Sequence, residues 1–154
     1  KYIAEIMTHE DVLVGGEESG GLAVKGHIPE RDGVWMGILI MEFMAVTGKS
    51  IKQLIAEVYE KVGSFSFERD DHHITNAIKD EVMRKCKEGE VKMIGSRPVV
   101  RTETIDGYKF YLNDDEWIMV RASGTEPVLR IYAQTPSTAQ SRTLLDEAAK
   151  SLMG

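Results

Sequence analysis

Two short loops contain residue types that folding alone does not call for. In Gly15-Gly16-Glu17-Glu18-Ser19-Gly20-Gly21, four glycines bracket two carboxylates and a hydroxyl. Glycines let a backbone come close to a ligand. Carboxylates accept hydrogen bonds from vicinal hydroxyls, so the chemistry suits a sugar. The second loop is Arg121-Ala122-Ser123-Gly124-Thr125-Glu126-Pro127, with Arg130 further along. A guanidinium, two hydroxyls and consecutive backbone N–H groups around a glycine make a nest for a phosphate or a carboxylate. Each loop also has a plainer reading: an exposed turn for the first, and for the second a tight turn whose Ser and Thr bond their own backbone.

Other reactive side chains promise less. Asp70-Asp71-His72-His73 packs four potential metal ligands together, but adjacent residues on a strand point to opposite faces and converge poorly on one ion. A solvated loop is expected there. His9 falls at a helix end, and His27 lies in the segment leading to Arg31. Cys86 belongs to the apolar stripe of a helix, where a thiol is buried and inert. Met36, Met41 and Met44 read as core filler.

The elements that must position the loops follow from periodicity. Tyr2 to Glu10 has helical spacing, and Asp11 to Val14 reads as a short buried strand entering the first loop. Val34 to Val46 is apolar on nearly every side, the mark of a helix buried between other elements, and Gly48 stops it. Ser50 and Gln53 form a capping box for a helix ended by Gly63. A domain junction is placed there. Beyond it the sequence predicts a strand around Phe65 and Phe67 and a helix from Thr75 to Glu88. Strands follow at 99–105 and 108–112 about an Asp106-Gly107 two-residue turn, then at 117–120 and 128–133. Ser137 and Gln140 box a last helix, burying Leu144, Leu145, Ala148, Ala149 and Leu152. The fold class is α+β: residues 64–154 form an antiparallel sheet with helices on one face, preceded at 1–63 by an incomplete α/β domain.

Composition sets the outer limits. The chain has 154 residues, 42% of them apolar and 29% charged, which excludes repeat arrays and disordered tails. Its 19 basic against 25 acidic residues give a net charge of -6, without the basic face that a nucleic-acid backbone requires. The apolar run at 34–46 falls short of the roughly 20 residues that span a bilayer, so no membrane partner is expected. A single cysteine fits a reducing compartment, and the cytoplasm is the expected location. The chain opens on Lys1 with apolar periodicity already under way, and we expect it to be the carboxy-terminal part of a longer protein.

Gly16-Glu17-Glu18-Ser19-Gly20, His27-Ile28-Pro29-Glu30-Arg31-Asp32-Gly33 and Arg121-Ala122-Ser123-Gly124-Thr125-Glu126-Pro127, in that order, resemble the motifs of the α-D-phosphohexomutases, in particular the phosphoglucomutase and phosphomannomutase branch. The resemblance implies a four-domain enzyme, with residues 1–63 ending the third domain and 64–154 forming the fourth, of TATA-binding-protein-like fold. It implies that Glu17, Ser19 and Arg31 bind the sugar, and that Arg121, Ser123, Gly124 and Thr125 bind its phosphate. The implied parent is a phosphoglucomutase, exchanging glucose 1-phosphate and glucose 6-phosphate through a hexose 1,6-bisphosphate, with a phosphoserine and Mg2+. The family's Thr-Ala-Ser-His-Asn-Pro type segment and Asp-x-Asp-x-Asp-Arg loop are not in this sequence, so no catalytic residue or metal site is assigned to it. The missing N-terminal domains are then its partners. The alternatives are a free-standing phosphosugar-binding or regulatory module and, within the family, a phosphomannomutase or phosphoglucosamine mutase.

Overall fold

The computed structural model describes residues 2–17 and 20–154, so Lys1, Glu18 and Ser19 lie outside the description. The chain falls into two units, Lys1–Val58 and Tyr59–Gly154.

In the first unit a helix, α1 (Tyr2–His9), precedes a two-stranded antiparallel ribbon of β1 (Val14–Gly16) and β2 (Leu22–Val24), with Gly15 opposite Ala23. The strand expected at 11–14 therefore sits later and takes two glycines into its body. The reason is packing: a Cβ at Gly15 would lie 2.6 Å from Ile3 Cγ2 of α1, and one at Gly16 would lie 2.5 Å from Leu22 Cδ2. At both glycines a neighbouring side chain fills the space that a Cβ would need. Nor is the strand buried, since Leu13 and Val14 are exposed, and Ala23 is the buried hydrophobic residue of this unit among those described.

The helix expected at 34–46 is present as α2 (Gly33–Thr47). Asp32 caps it, Oδ1 accepting from the N–H groups of Val34 and Trp35 at 3.0 Å each, and Gly48 ends it in the left-handed region at φ 65°. Its expected burial is not observed: Val34, Met41 and Val46 are 78%, 63% and 80% exposed. A helix apolar all round becomes buried only when neighbours surround it, and no described element covers this one. Met41 is accordingly not core filler. α3 (Ile51–Val62) opens on the expected capping box, with Ser50 N donating to Gln53 Oε1 at 2.9 Å and Gln53 N to Ser50 Oγ at 3.4 Å. No single described helix is long and apolar enough to cross a membrane.

The second unit is built on a five-stranded antiparallel sheet in the order β3-β9-β8-β7-β6. These strands are β3 (Ser66–His73), β6 (Arg101–Glu103), β7 (Tyr108–Tyr111), β8 (Trp117–Ala122) and β9 (Val128–Thr135). α4 (Asn76–Lys87) follows β3, a small ribbon of β4 (Met93–Ile94) and β5 (Arg97–Pro98) precedes β6, and α5 (Thr138–Met153) closes the chain. Alternation sorts the faces. Phe110, Ile118, Val120, Leu129, Ile131 and Ala133 bury against Val82 and Cys86 of α4 and Leu144, Leu145, Ala148 and Leu152 of α5. Burying each Leu side chain contributes about 1.5–3 kcal/mol. The opposite face, free of helices, gathers Phe67, Tyr111, Trp117, Met119 and Tyr132.

Three details depart from the sequence reading. Asp70 to His73 are not a solvated loop but the end of β3, paired with Val128–Ile131 of β9; the ladder to the last strand outweighs the poor strand propensity of four polar residues. The β6–β7 hairpin forms, yet β6 ends at Glu103 and β7 begins at Tyr108, so its connection is the four residues 104–107. Among the described non-glycine residues none has positive φ, whereas a two-residue type I′ turn would need it at Asp106. The β4–β5 ribbon, two residues a side, is too short for periodicity to register.

Candidate functional site

In the second unit the loop 123–127 joins β8 to β9. Ser123 N donates to Val128 O at 2.9 Å and Val128 N to Glu126 O at 2.8 Å, closing it as a tight turn. Ile74 N bonds Pro127 O at 3.1 Å, and Lys79 Nζ of α4 bonds Glu126 O at 3.3 Å. The far side of the loop is thus fixed. Ser123 is 8% exposed, while Gly124 and Thr125 face solvent.

Strand register then sets out the charges. Arg121 of β8 stands opposite Arg130 of β9, which stands opposite Asp71 of β3. Directly paired residues share a face, so the three form a row across the helix-free side of the sheet. Asp71 Oδ2 is 3.6 Å from Arg130 Nε, and at the other end Asp106 Oδ2 is 3.3 Å from Arg121 Nη1. The 104–107 turn that carries Asp106 lies close against β8. A Cβ at Gly107, where φ is +113°, would meet Val120 O at 2.6 Å. Two like charges directly opposite on neighbouring strands are destabilising by a fraction of a kcal/mol up to about 1 kcal/mol. Core packing does not require them. Arg130 Nε is moreover buried without a hydrogen-bond partner. An anion between the guanidiniums would relieve the repulsion and receive charge-assisted hydrogen bonds.

Arg121, Ser123, Gly124 and Thr125, the expected phosphate set, therefore lie in one continuous segment. Arg130, noted beyond the loop in the sequence but not assigned to the phosphate, stands opposite Arg121. Its signal was available: Arg121 and Arg130 are nearly symmetric about the loop, so an antiparallel hairpin through 123–127 brings them face to face.

In the first unit the structure brings Glu17 and Arg31 together, with Arg31 Nη1 to Glu17 Oε2 at 2.5 Å. Ser19, the third expected sugar contact, lies outside the described residues. Glu17 N bonds Gly21 O at 2.9 Å and Gly20 N bonds Glu17 O at 3.0 Å, which closes the loop. The Arg31 stem runs over Gly21, where a Cβ would come within 2.8 Å of Arg31 Cδ. Of the loop glycines, Gly21 is the one that lets a candidate site residue approach. The hydrogen bond that Arg31 donates to Glu17 is foremost in holding Arg31 in its charged form. Arg31 N also donates to Glu30 Oε1 at 2.9 Å, and this backbone bond is the main cause keeping the Glu30 carboxyl below its usual range. His27 Nε2 lies 2.9 Å from Asp32 Oδ2, and its ring stacks on Trp35 with centroids 4.8 Å apart. The Asp32 carboxyl is held below its usual range by the Trp35 N–H first and His27 next. His27 is thereby clipped to the N-cap and first turn of α2.

Among the described residues no group of three or more His, Cys, Asp or Glu is placed to hold a metal ion. The Asp70–His73 run divides between the two faces, Asp70 going to Arg142 of α5 at 2.6 Å and Asp71 to Arg130. Cys86 is buried, and burial pushes its thiol up to about 11.

Residues 1–62 match the family description "Phosphoglucomutase/phosphomannomutase, alpha/beta/alpha domain III", and residues 78–151 match "Phosphoglucomutase/phosphomannomutase, C-terminal domain". A phosphoglucomutase/phosphomannomutase of Thermococcus kodakarensis is 32% identical over 97% of this chain and 30% of its own length. A phosphoglucosamine mutase of Streptococcus mutans is 29% identical over 97% of this chain and 30% of its own length. The crystal structure of a phosphomannomutase of Thermus thermophilus superposes with a TM-score of 0.74 at 30% identity, covering 99% of this chain and 29% of that one. The chain thus spans about 30% of the length of these curated relatives. Two consecutive domain matches of one family, carrying both motif loops, establish that the chain belongs to the phosphoglucomutase/phosphomannomutase family.

Proposed function

We propose that this chain is the substrate-gripping part of a phosphohexomutase, and that its sugar is a hexose phosphate of the glucose 1-phosphate and glucose 6-phosphate type. Residues 1–63 end its third domain, which is incomplete here, and 64–154 form its fourth. Glu17, Ser19 and Arg31 take sugar hydroxyls. Arg121, Ser123, Gly124 and Thr125, with Arg130, take the phosphate that is not reacting. The observation that carries this reading is the Arg121–Arg130 pair, opposed across β8 and β9 beside the Ser123–Thr125 loop.

Phosphoryl transfer depends on positioning and on charge stabilisation. Binding energy gathered on hydroxyls and on a distant phosphate serves to orient the reacting oxygen, and that is the share this chain supplies. The phosphoserine and Mg2+ of the mutase reaction, which passes through a hexose 1,6-bisphosphate, are assigned to domains outside it, so the chain alone is expected to be inactive. The cytoplasm is proposed as its location. The relatives named phosphoglucosamine mutase favour a second reading within the family, in which the sugar carries an amine. Phosphomannomutase specificity is a third.

Isothermal titration tests the proposal. Glucose 1-phosphate should give saturable heat and glucose much less. Arg121→Ala should weaken binding by about 1.5–3 kcal/mol, the scale of a hydrogen bond to a charged group. Equal heats for glucose and its phosphate would sink the phosphate site. Competition by glucosamine 1-phosphate and mannose 1-phosphate then ranks the sugars.

A further inference from the structure

The carboxylate of Asp71 has no part in the function proposed above, yet it occupies a telling place. It lies on β3, on the helix-free face, between two guanidiniums: Arg69 Nε at 2.9 Å and Arg130 Nε at 3.6 Å. Arg130 in turn faces Arg121 across the β8–β9 ladder. Repulsion between those two guanidiniums drives them apart, and the register of the strands fixes only their backbones. A negative charge is needed on the β3 side to hold Arg130 in one place.

We propose that Asp71 is a positioning residue for the phosphate site, keeping the Arg130 guanidinium in place against repulsion from Arg121. The inference rests on the phosphate-binding reading. At 3.6 Å the Asp71–Arg130 contact is an ion pair without a hydrogen bond, and Arg130 Nε keeps no other partner. Asp71 therefore restrains the guanidinium without consuming the donors that an anion would use. Arg69, the closer partner, anchors Asp71 and keeps its carboxylate from following Arg130. This arrangement also accounts for the sequence Asp70-Asp71: one carboxylate serves α5 through Arg142, and its neighbour serves the opposite face.

Charge and position predict opposite signs. Removing a negative charge beside a phosphate site tightens binding by Coulomb attraction alone, whereas loss of a positioning contact weakens it. Titration of the chain with glucose 1-phosphate decides. Asp71→Asn should weaken binding roughly twofold to fivefold, the range for a partly exposed ion pair, and Asp71→Glu, which keeps the charge, should recover most of it. Affinity equal to or tighter than that of the unaltered chain in Asp71→Asn overturns the positioning role and leaves the phosphate site standing. Absence of saturable heat in the unaltered chain removes both together. A purely structural role would lower the melting temperature of both variants and leave affinity unmoved, which also overturns the proposal. Should Asp71→Asn fail to fold, NMR of the unaltered chain decides. Without ligand, the Arg130 Nε–Hε resonance must be sharp and slow to exchange with solvent, as a guanidinium held in one place beside Asp71 requires, and a resonance lost to exchange overturns the proposal.

Discussion

The two candidate loops are held by different means. The first, in the Lys1–Val58 unit, sits on a ribbon of three residues a side and is fixed by its own side chains: Glu17 on Arg31, Arg31 over Gly21, and His27 on Asp32. The second springs from a five-stranded sheet with its own buried core, and strand register sets the backbone of Arg121 opposite that of Arg130. A site built on a packed sheet inherits its geometry from burial remote from the ligand. A site built on local contacts depends on each of them. The two units should therefore respond differently to the same kind of substitution.

The largest contrast is in packing. Leu145→Ala removes a side chain with no exposure and should cost about 2–5 kcal/mol. Met41→Ala on the bare α2 should stay within about 0.5 kcal/mol, as for surface changes in general. Urea unfolding of the whole chain measures both. Equal losses would mean that α2 is covered in solution, and the comparison would break.

Glycine substitutions come next. Gly107→Ala must place a Cβ 2.6 Å from Val120 O at φ +113°, and strain of this kind costs about 1–3 kcal/mol. Gly21→Ala meets only the flexible stem of Arg31. It should leave the melting temperature nearly unchanged while loosening the Arg31–Glu17 pair and weakening sugar binding. A change in melting temperature at Gly21 as large as that at Gly107 would show that the first loop is a structural turn.

Capping offers a smaller effect confined to the first unit. Asp32→Ala removes the acceptor of two helix N–H groups and the partner of His27, and caps of this type are worth about 1 kcal/mol. Hydrogen exchange at Val34 and Trp35 should quicken while β8 and β9 keep their protection. Exchange quickening across the sheet as well would show that the two units unfold together.

Much of this was legible in the sequence, and the failures have physical causes. The capping boxes at Ser50 and Ser137 were readable because their hydrogen bonds span three residues. So were the apolar stripes of α4 and α5. β3 was read only in part, since its polar end is held by pairing with β9, far along the chain, and local propensity carries no trace of that partner. Burial of α2 was inferred from composition, but an apolar helix is buried only if something covers it. Of the candidate site, the motif segments gave the residues, while the role of Arg130 and its link to Asp71 came from register. Those two facts become visible only when β3, β9 and β8 are laid side by side.

Cys86 supplies the smallest effect and reports on the packed unit alone, since it is the chain's one cysteine. Burial raises its thiol from 9.0 to about 11, because the thiolate is poorly solvated among apolar side chains. In the unfolded chain the proton leaves near 9.0. Between these values the unfolded state binds fewer protons than the folded one, so this group's contribution to stability is intact below about pH 9 and declines as pH rises toward about 11. Alkylation should follow the same course. Iodoacetamide at about pH 9 should react slowly with the native chain and rapidly in urea, and the native rate should climb steeply near pH 11. Native and urea rates that coincide at the lower pH would mean that the α4 face of the sheet opens readily. In that case the second unit would have no more packing to lend its loop than the first.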